Sequence, residues 1–127
     1  MGRQQIAAIV ATCVLSLLMV FQILLAVGLP LGRAAWGGAN RVLPTMLRWA
    51  SLGAVLILGV AVWMVLARVG FIAFGAGLAR VLTWVFAAYF TLNIVMNILS
   101  DSPIERTAMT PVSVVLVICF VLASLAK

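Results

Sequence analysis

Four long apolar stretches, separated by short polar segments, constrain the fold of this chain more than any other feature. They cover residues 6–29, 49–67, 81–99 and 111–126, and none of them contains Asp, Glu, Lys, Arg or His. A helix of about 20 apolar residues crosses the hydrocarbon core of a bilayer. It also satisfies every backbone polar group within its own segment, as that solvent requires. We therefore predict an all-α, polytopic membrane protein whose four transmembrane helices form a compact bundle.

The composition excludes a water-soluble domain of this size. Hydrophobic residues make up 67% of the chain and charged residues 8%, whereas soluble proteins have about 45–50% and about 25%. We expect a single membrane domain over residues 1–127. Arg3 precedes the first stretch as it would precede a signal peptide, but this stretch is far longer than the apolar core of about 7–15 residues found there. We interpret it as the first span.

The net charge of +6 raises the question of what the basic residues contact. They stand singly at the ends of apolar stretches, which is typical of contact with lipid headgroups. We expect the lipid bilayer as a partner and no nucleic acid. Four spans divide the basic residues equally, with Arg3, Arg68, Arg80 and Lys127 on one face and Arg33, Arg41, Arg48 and Arg106 on the other.

This equal division gives the positive-inside rule no clear preference, because the rule counts Lys and Arg near the ends of the spans. The early position of Arg3 favours both termini in the cytoplasm, and we expect a bacterial cytoplasmic membrane. Dual topology, in which copies insert in both directions, stays open as the alternative.

The third apolar stretch carries a stripe of polar side chains. Tyr89, Asn93 and Asn97 follow one another at intervals of four residues and therefore share one helix face. Gln22 is the amide of the first stretch. One hypothesis is that these groups join helices, with each hydrogen bond contributing about 0.6 kcal/mol. A second is that they line a ligand-binding cavity, and a third is that they contact the helix of a partner protein.

Two polar segments fall on the same face of the predicted bundle: the first polar segment, residues 30–48, and the second polar segment, residues 100–110. We group their candidate functional residues as a loop-face cluster, which consists of Trp36, Arg41, Arg48, Asp101, Glu105 and Arg106. One interpretation is that Glu105 is a capping residue and Arg106 is solvated. The alternative is that the charged residues of the second segment contact Arg33 or Arg41 and join the two segments.

The second polar segment contains two signals for the start of a helix. Ser102, Pro103 and Glu105 have the spacing of an N-cap, a first-turn proline and a capping-box glutamate. Thr110 and Pro111 repeat the signal. The fourth span therefore starts at Pro111, or it continues a longer helix that begins at Pro103 and bends at Pro111.

This sequence contains few side chains that are suited to catalysis or to metal binding. Histidine is absent, and Cys13 and Cys119 lie inside apolar stretches, so we expect neither a metal nor a cofactor. The carboxylates Asp101 and Glu105 are the one conceivable acid–base pair, and we do not expect an enzyme. The chain has the size of small multidrug transporters and of small fluoride channels. The motifs of both families are missing, however. The transporters have a membrane-embedded glutamate in the first helix, where this chain has Gln22, and the channels have a glycine- and threonine-rich signature in the third helix that is absent here.

Another resemblance covers more of the chain. The patterns WGG…RVLP…LR over residues 36–48 and N-x-x-S-x-S-x-x-E-R over residues 97–106 resemble small bacterial four-helix membrane proteins of unassigned function. The resemblance implies a four-helix fold in which the two polar segments form a common feature, and it implies no activity.

For function, the sequence favours a non-enzymatic membrane protein that acts by self-association or as a subunit of a larger membrane complex. The absence of ionisable side chains from the four stretches motivates this hypothesis. The alternative is small-molecule binding or facilitative transport through a bundle lined by Tyr89, Asn93 and Asn97.

Overall fold

The structure is a computed structural model that describes residues 1–126, and it confirms the predicted four-helix fold. The helices are α1 (Arg3–Ala26), α2 (Thr45–Arg68), α3 (Ala76–Ile98) and α4 (Thr110–Ser124). A π-helical segment, Glu105–Met109, leads directly into α4. With that segment included, the four helices are long and apolar enough to cross a membrane. No strand occurs in the described part of the chain.

The four helices form a square in which each packs against its neighbours in sequence and α4 returns to pack against α1. Helices at opposite corners have much less contact. This is the up-down-up-down arrangement that short connections produce. The N-terminus and the turn between α2 and α3 lie at one end, which we call the terminal end. The two polar segments lie at the other, which we call the loop end.

The terminal half of the bundle is tightly packed by small residues. Ala8, Ala11 and Ala61 are fully buried there, and alanines allow membrane helices to approach closely. A layer of aromatic rings follows at mid-height, where the ring centroid of Phe120 lies 5.2 Å from that of Phe90. Beyond this layer, the loop half contains a cavity between the four helices.

Several threonine and serine hydroxyl groups in the spans donate to carbonyls of their own helices. The Thr12 hydroxyl donates to the carbonyl of Ala8 at 2.8 Å, and that of Thr83 donates to Ala79 at 2.7 Å. This back-bonding is the usual way for Ser and Thr to sit within a helix. Three buried polar atoms of the described chain lack a hydrogen-bond partner: Gln22 Oε1 in the loop half, and Arg68 Nε and Ser124 Oγ at the terminal end.

The two arginines of α2 close the ends of other helices. Nε of Arg48 donates to the carbonyl of Ala26 at 2.8 Å, at the C-terminus of α1. At the opposite end, Nη2 of Arg68 donates to the carbonyl of Ser124 at 3.0 Å, at the C-terminus of α4. The last carbonyls of a helix lack partners in the helix itself and carry partial negative charge, so a cation stabilises them.

The predicted capping box in the second polar segment is wrong. The Ser102 hydroxyl donates to a carbonyl of the first polar segment, and the Glu105 carboxylate accepts a hydrogen bond from Ser100. Helical structure nevertheless begins at Pro103 and continues into α4 without a break. The longer-helix alternative therefore describes the structure. The π-helical turn lies just before Pro111, whose missing N–H and bulky ring perturb the preceding turn.

Candidate functional site

A cavity of about 190 Å³ lies in the loop half of the bundle, and all four helices contribute to its wall. Phe90 and Leu116 lie at the side of the aromatic layer and form its floor. Residues 34–36 of the first polar segment form its roof. The remaining lining residues are Leu18, Phe21, Gln22, Ala54, Leu58, Tyr89, Asn93, Asn97, Glu105, Met109, Val112 and Ser113.

The four residues that the sequence nominated for ligand binding, Gln22, Tyr89, Asn93 and Asn97, all line this cavity. The stripe on α3 thus faces the interior of the bundle, and Gln22 of α1 lies in the same wall. Asn97 has a partner, because its Nδ2 donates to the hydroxyl of Ser113 at 3.1 Å. For Asn97, therefore, the hypothesis of a hydrogen bond between helices describes the observed contact.

The other polar groups of the wall have unused hydrogen-bonding capacity. Oε1 of Gln22 is buried without a hydrogen-bond partner in the described chain. Within residues 1–126, the structure also gives no side-chain hydrogen bond to Asn93 or to the Tyr89 hydroxyl. Buried polar groups of folded proteins are mostly paired. The Gln22 oxygen is the buried member of this set, whereas Asn93 is half-buried and Tyr89 is 38% exposed. The cavity wall thus presents polar groups that have no protein partner in the described chain.

Glu105 is the residue whose role the sequence least suggested. Its side chain is 7% exposed, and it lies in the cavity wall. Ser100 donates its hydroxyl to Oε1 of Glu105 at 2.7 Å. No Lys or Arg is among the residues that line the cavity. The premise that the bundle lacks an ionisable interior group is therefore corrected, because the helix begins before Glu105 and turns the carboxylate inwards.

A signal for this placement existed in the sequence. Glu105, Met109 and Ser113 follow one another at intervals of four residues and hence share a helix face if the fourth helix begins at Pro103. All three line the cavity. A fourth helix that started at Pro111 would leave Glu105 and Met109 outside the helix, so the pattern depends on the start at Pro103.

Trp36 forms part of the roof in a strained backbone conformation. Its φ is +52°, and the two residues that follow, Gly37 and Gly38, have φ values of +81° and +72°. Positive φ is unfavourable for a bulky side chain and easy for glycine. The indole Nε1 of Trp36 donates to the hydroxyl of the buried Ser51 on α2 at 3.0 Å. This bond holds the ring beside the cavity while 42% of the residue stays exposed.

The two polar segments are joined through hydroxyl groups and close packing. The Ser102 hydroxyl donates to the carbonyl of Arg33, and that of Ser100 lies 3.4 Å from the carbonyl oxygen of Gly37. Gly38 packs so closely on Ser102 that a Cβ at position 38 would lie 2.9 Å from the Ser102 hydroxyl oxygen. Ion pairs between carboxylates and arginines, which the sequence left open as an alternative, are not the contacts that join these segments.

The rest of the loop-face cluster lies away from the cavity. Arg41, Asp101 and Arg106 are exposed, and Arg48 binds the end of α1. Of the six members of the cluster, the cavity thus brings together two, Trp36 and Glu105. Because Asp101 is exposed and Glu105 is buried, the two do not form a paired-carboxylate site.

The described residues contain no candidate metal site, and their two cysteines are free thiols. No group of three or more His, Cys, Asp or Glu side chains that could hold a metal ion occurs in residues 1–126. Cys13 is exposed on α1, and Cys119 is buried in α4. The cavity instead offers one carboxylate, several amides and hydroxyls, and aromatic faces, a combination suited to non-covalent binding.

Comparison of the chain with protein-family models, with curated proteins and with solved structures found no match. The resemblance to small bacterial four-helix membrane proteins therefore stays a prediction from the sequence.

Proposed function

We propose that this protein binds a small polar molecule in the cavity of its membrane bundle, as a receptor or as a facilitative carrier. The observation that supports this most directly is the convergence of Gln22, Tyr89 and Asn93 on one cavity with hydrogen-bonding capacity left over. In hydrocarbon, polar side chains carry a cost that partners offset. A stripe that served only to hold helices together would have its amides paired across the interfaces.

The size of the cavity limits the ligand. Sites for drug-sized molecules enclose about 300–1,000 Å³, whereas this cavity has about 190 Å³. At about 30 Å³ for each water molecule, it corresponds to roughly six waters. The ligand is therefore a molecule of few heavy atoms.

The layer of Phe86, Phe90 and Phe120 separates the cavity from the tightly packed terminal half. The site is accordingly a pocket with one closed end and not a continuous pore. Binding followed by a change in this layer is a route for facilitative transport, and binding without such a change corresponds to a receptor.

The experiment is a thermal-unfolding screen of the purified protein in lipid nanodiscs, with methylammonium, guanidinium, urea, acetamide and glycine as probes. We expect at least one probe to raise the melting temperature of the wild type and to lose this effect in Asn93→Leu. The matched control is Thr91→Val on the same helix, since the Thr91 hydroxyl bonds to the carbonyl of Ala87 in its own helix. If no probe acts, or if Asn93→Leu responds like the wild type, the proposal fails.

Association with a second copy or with a larger membrane complex is a second candidate function. Gly53 and Gly59 of α2 have no atom within 4 Å of where a Cβ would lie, and Leu56 nearby is 74% exposed. Glycines on an open helix face permit the close approach of another membrane helix. Crosslinking and native mass spectrometry in lipid would test this, and a protein found only as a monomer without co-purifying chains would contradict it.

For the cellular location, we propose a bacterial cytoplasmic membrane with both termini in the cytoplasm. Four spans place both termini on one side, and Arg3 near the start of α1 favours the cytoplasmic side for that end. Fusions of alkaline phosphatase and green fluorescent protein to the C-terminus test the orientation. Activity of both reporters in equal measure would indicate dual topology instead.

A further inference from the structure

Building on the proposed function, we propose that the ligand is a small organic monocation, such as an alkylammonium or a guanidinium, and that Glu105 is its counter-charge. The inference depends on the position of Glu105 in the cavity wall, on the lack of any cationic side chain in that wall, and on the aromatic and amide groups that line the same cavity.

Electrostatics give the first step. The Glu105 side chain is 7% exposed, and its hydrogen bond from Ser100 comes from a neutral hydroxyl. That hydrogen bond orients the carboxylate and supplies no positive charge. A buried charge without a counter-ion is costly, because desolvation is not compensated by Coulomb attraction. The lining residues supply no Lys or Arg, so a cationic guest is the partner that satisfies the site.

The remaining lining groups define which kind of cation fits. Trp36, Tyr89 and Phe90 bring aromatic rings to the cavity, and the faces of such rings attract ammonium and guanidinium groups. Gln22 and Asn93 have amide oxygens that accept hydrogen bonds from N–H groups. Together they favour an organic cation with N–H or N-alkyl groups.

The charge of the site indicates a monovalent guest. Ca²⁺ takes 6–8 oxygen ligands, of which carboxylates are the main charged ones, and Mg²⁺ requires near-ideal octahedral coordination. This cavity has one carboxylate, that of Glu105. A single negative charge matches a single positive charge.

The test compares guanidinium with urea, a neutral molecule of nearly the same shape, and adds tetramethylammonium as a cation without N–H donors. Each probe is titrated at millimolar concentration against the full chain in nanodiscs of neutral phosphatidylcholine, so that lipid headgroups do not concentrate the cation. Apparent affinity is obtained from the shift in melting temperature and from isothermal titration calorimetry. The variants are Glu105→Gln, which retains a hydrogen-bond acceptor for Ser100, and Asp101→Asn, which removes an exposed carboxylate from the same polar segment.

We expect guanidinium to bind the wild type more than about tenfold more tightly than urea, and we expect Glu105→Gln to lose that preference while Asp101→Asn keeps it. Loss of one partner from a buried charge pair has a large effect, whereas an exposed carboxylate contributes little. If Glu105→Gln fails to fold, the comparison of guanidinium with urea on the wild type still decides the question.

Equal binding of urea and guanidinium to the wild type would overturn the monocation inference and leave the proposed polar-ligand site standing. An equal effect of Asp101→Asn and Glu105→Gln would also overturn it, since adsorption to surface charge would then explain the binding. Failure of all charged and neutral probes on the wild type would remove the proposed function as well.

Discussion

Nδ2 of Asn97 lies 3.1 Å from the hydroxyl oxygen of Ser113, so that one hydrogen bond joins α3 to α4 in the wall of the cavity. Asn93, one turn earlier on the same face of α3, also lines the cavity but lacks such a partner in the described chain. Two amides on the same face of α3 are therefore expected to have different roles: Asn97 stabilises the bundle, and Asn93 contacts the ligand.

This difference predicts opposite outcomes for two matched substitutions. Asn97→Leu should lower the free energy of unfolding by about 0.6 kcal/mol, the measured average for hydrogen bonds between membrane helices, and by about 1.7 kcal/mol at most. Asn93→Leu should leave stability unchanged or raise it, because it removes an unpaired polar group, and should abolish probe binding. Unfolding in mixed micelles with increasing dodecyl sulfate, followed by circular dichroism, measures both. Equal losses of stability would assign both amides to helix packing.

The contact between the two polar segments predicts different effects for two neighbouring glycines. Gly37 and Gly38 both have positive φ, but a Cβ at position 37 meets no atom within 4 Å, whereas one at position 38 collides with Ser102. Gly37→Ala should therefore cost about 1–2 kcal/mol of backbone strain. Gly38→Ala should cost about 1–3 kcal/mol more for overpacking.

A double substitution tests whether the collision is the cause. In the Gly38→Ala background, Ser102→Gly should recover part of the lost stability, although alone it removes a hydrogen bond to Arg33. Such non-additivity is expected of residues in contact. Strictly additive losses in the same unfolding assay would refute the packing explanation for Gly38.

Much of this architecture follows from the sequence, because hydrocarbon imposes a simple condition on each span. The apolar stretches predicted α1 to α4 to within a few residues; α1, for example, begins at Arg3 and ends at Ala26, where residues 6–29 were expected. The four-residue spacing of Tyr89, Asn93 and Asn97 predicted that they share a wall, since helix geometry fixes that relation. The spacing could not show whether this wall faces a neighbouring helix or a cavity.

Glu105 shows how tertiary contacts override a local pattern in the sequence. The capping-box pattern is a local preference worth about 1 kcal/mol, and it competes here with tertiary contacts. The Ser102 hydroxyl donates to the carbonyl of Arg33 in the first polar segment, and the Ser100 hydroxyl donates to the Glu105 carboxylate. The Ser102 bond reaches a residue 69 positions earlier, and the Ser100 hydroxyl also lies near the carbonyl of Gly37, 63 positions earlier; no local pattern specifies such contacts. The burial of Glu105 in the cavity wall therefore depends on how the two polar segments pack against each other.

The bond between Trp36 and Ser51 predicts a third effect. Ser51→Ala should cost about 1 kcal/mol, because the indole N–H loses its partner, and it should loosen the roof of the cavity. In a variant that retains Trp36 as its single tryptophan, quenching of fluorescence by acrylamide should increase. The control is Ser16→Ala, since the Ser16 hydroxyl donates to the carbonyl of Thr12 in its own helix. Unchanged quenching in Ser51→Ala would mean that packing alone holds the ring.

The last prediction compares an arginine that caps a helix, Arg68, with one that lies at the membrane interface, Arg80. Arg68→Met should lower the free energy of unfolding by about 1–3 kcal/mol, because the carbonyls of Ser124 and Ala126 lose a charged donor. Arg80→Met is the matched control, for Arg80 begins the third span on the same face of the bundle and is exposed, so that its head group reaches the headgroup layer without a protein partner. Hydrogen exchange of the last turn of α4 should accelerate in Arg68→Met alone. If both variants accelerate it equally, the effect belongs to the overall charge of that face and not to the bonds that Arg68 makes.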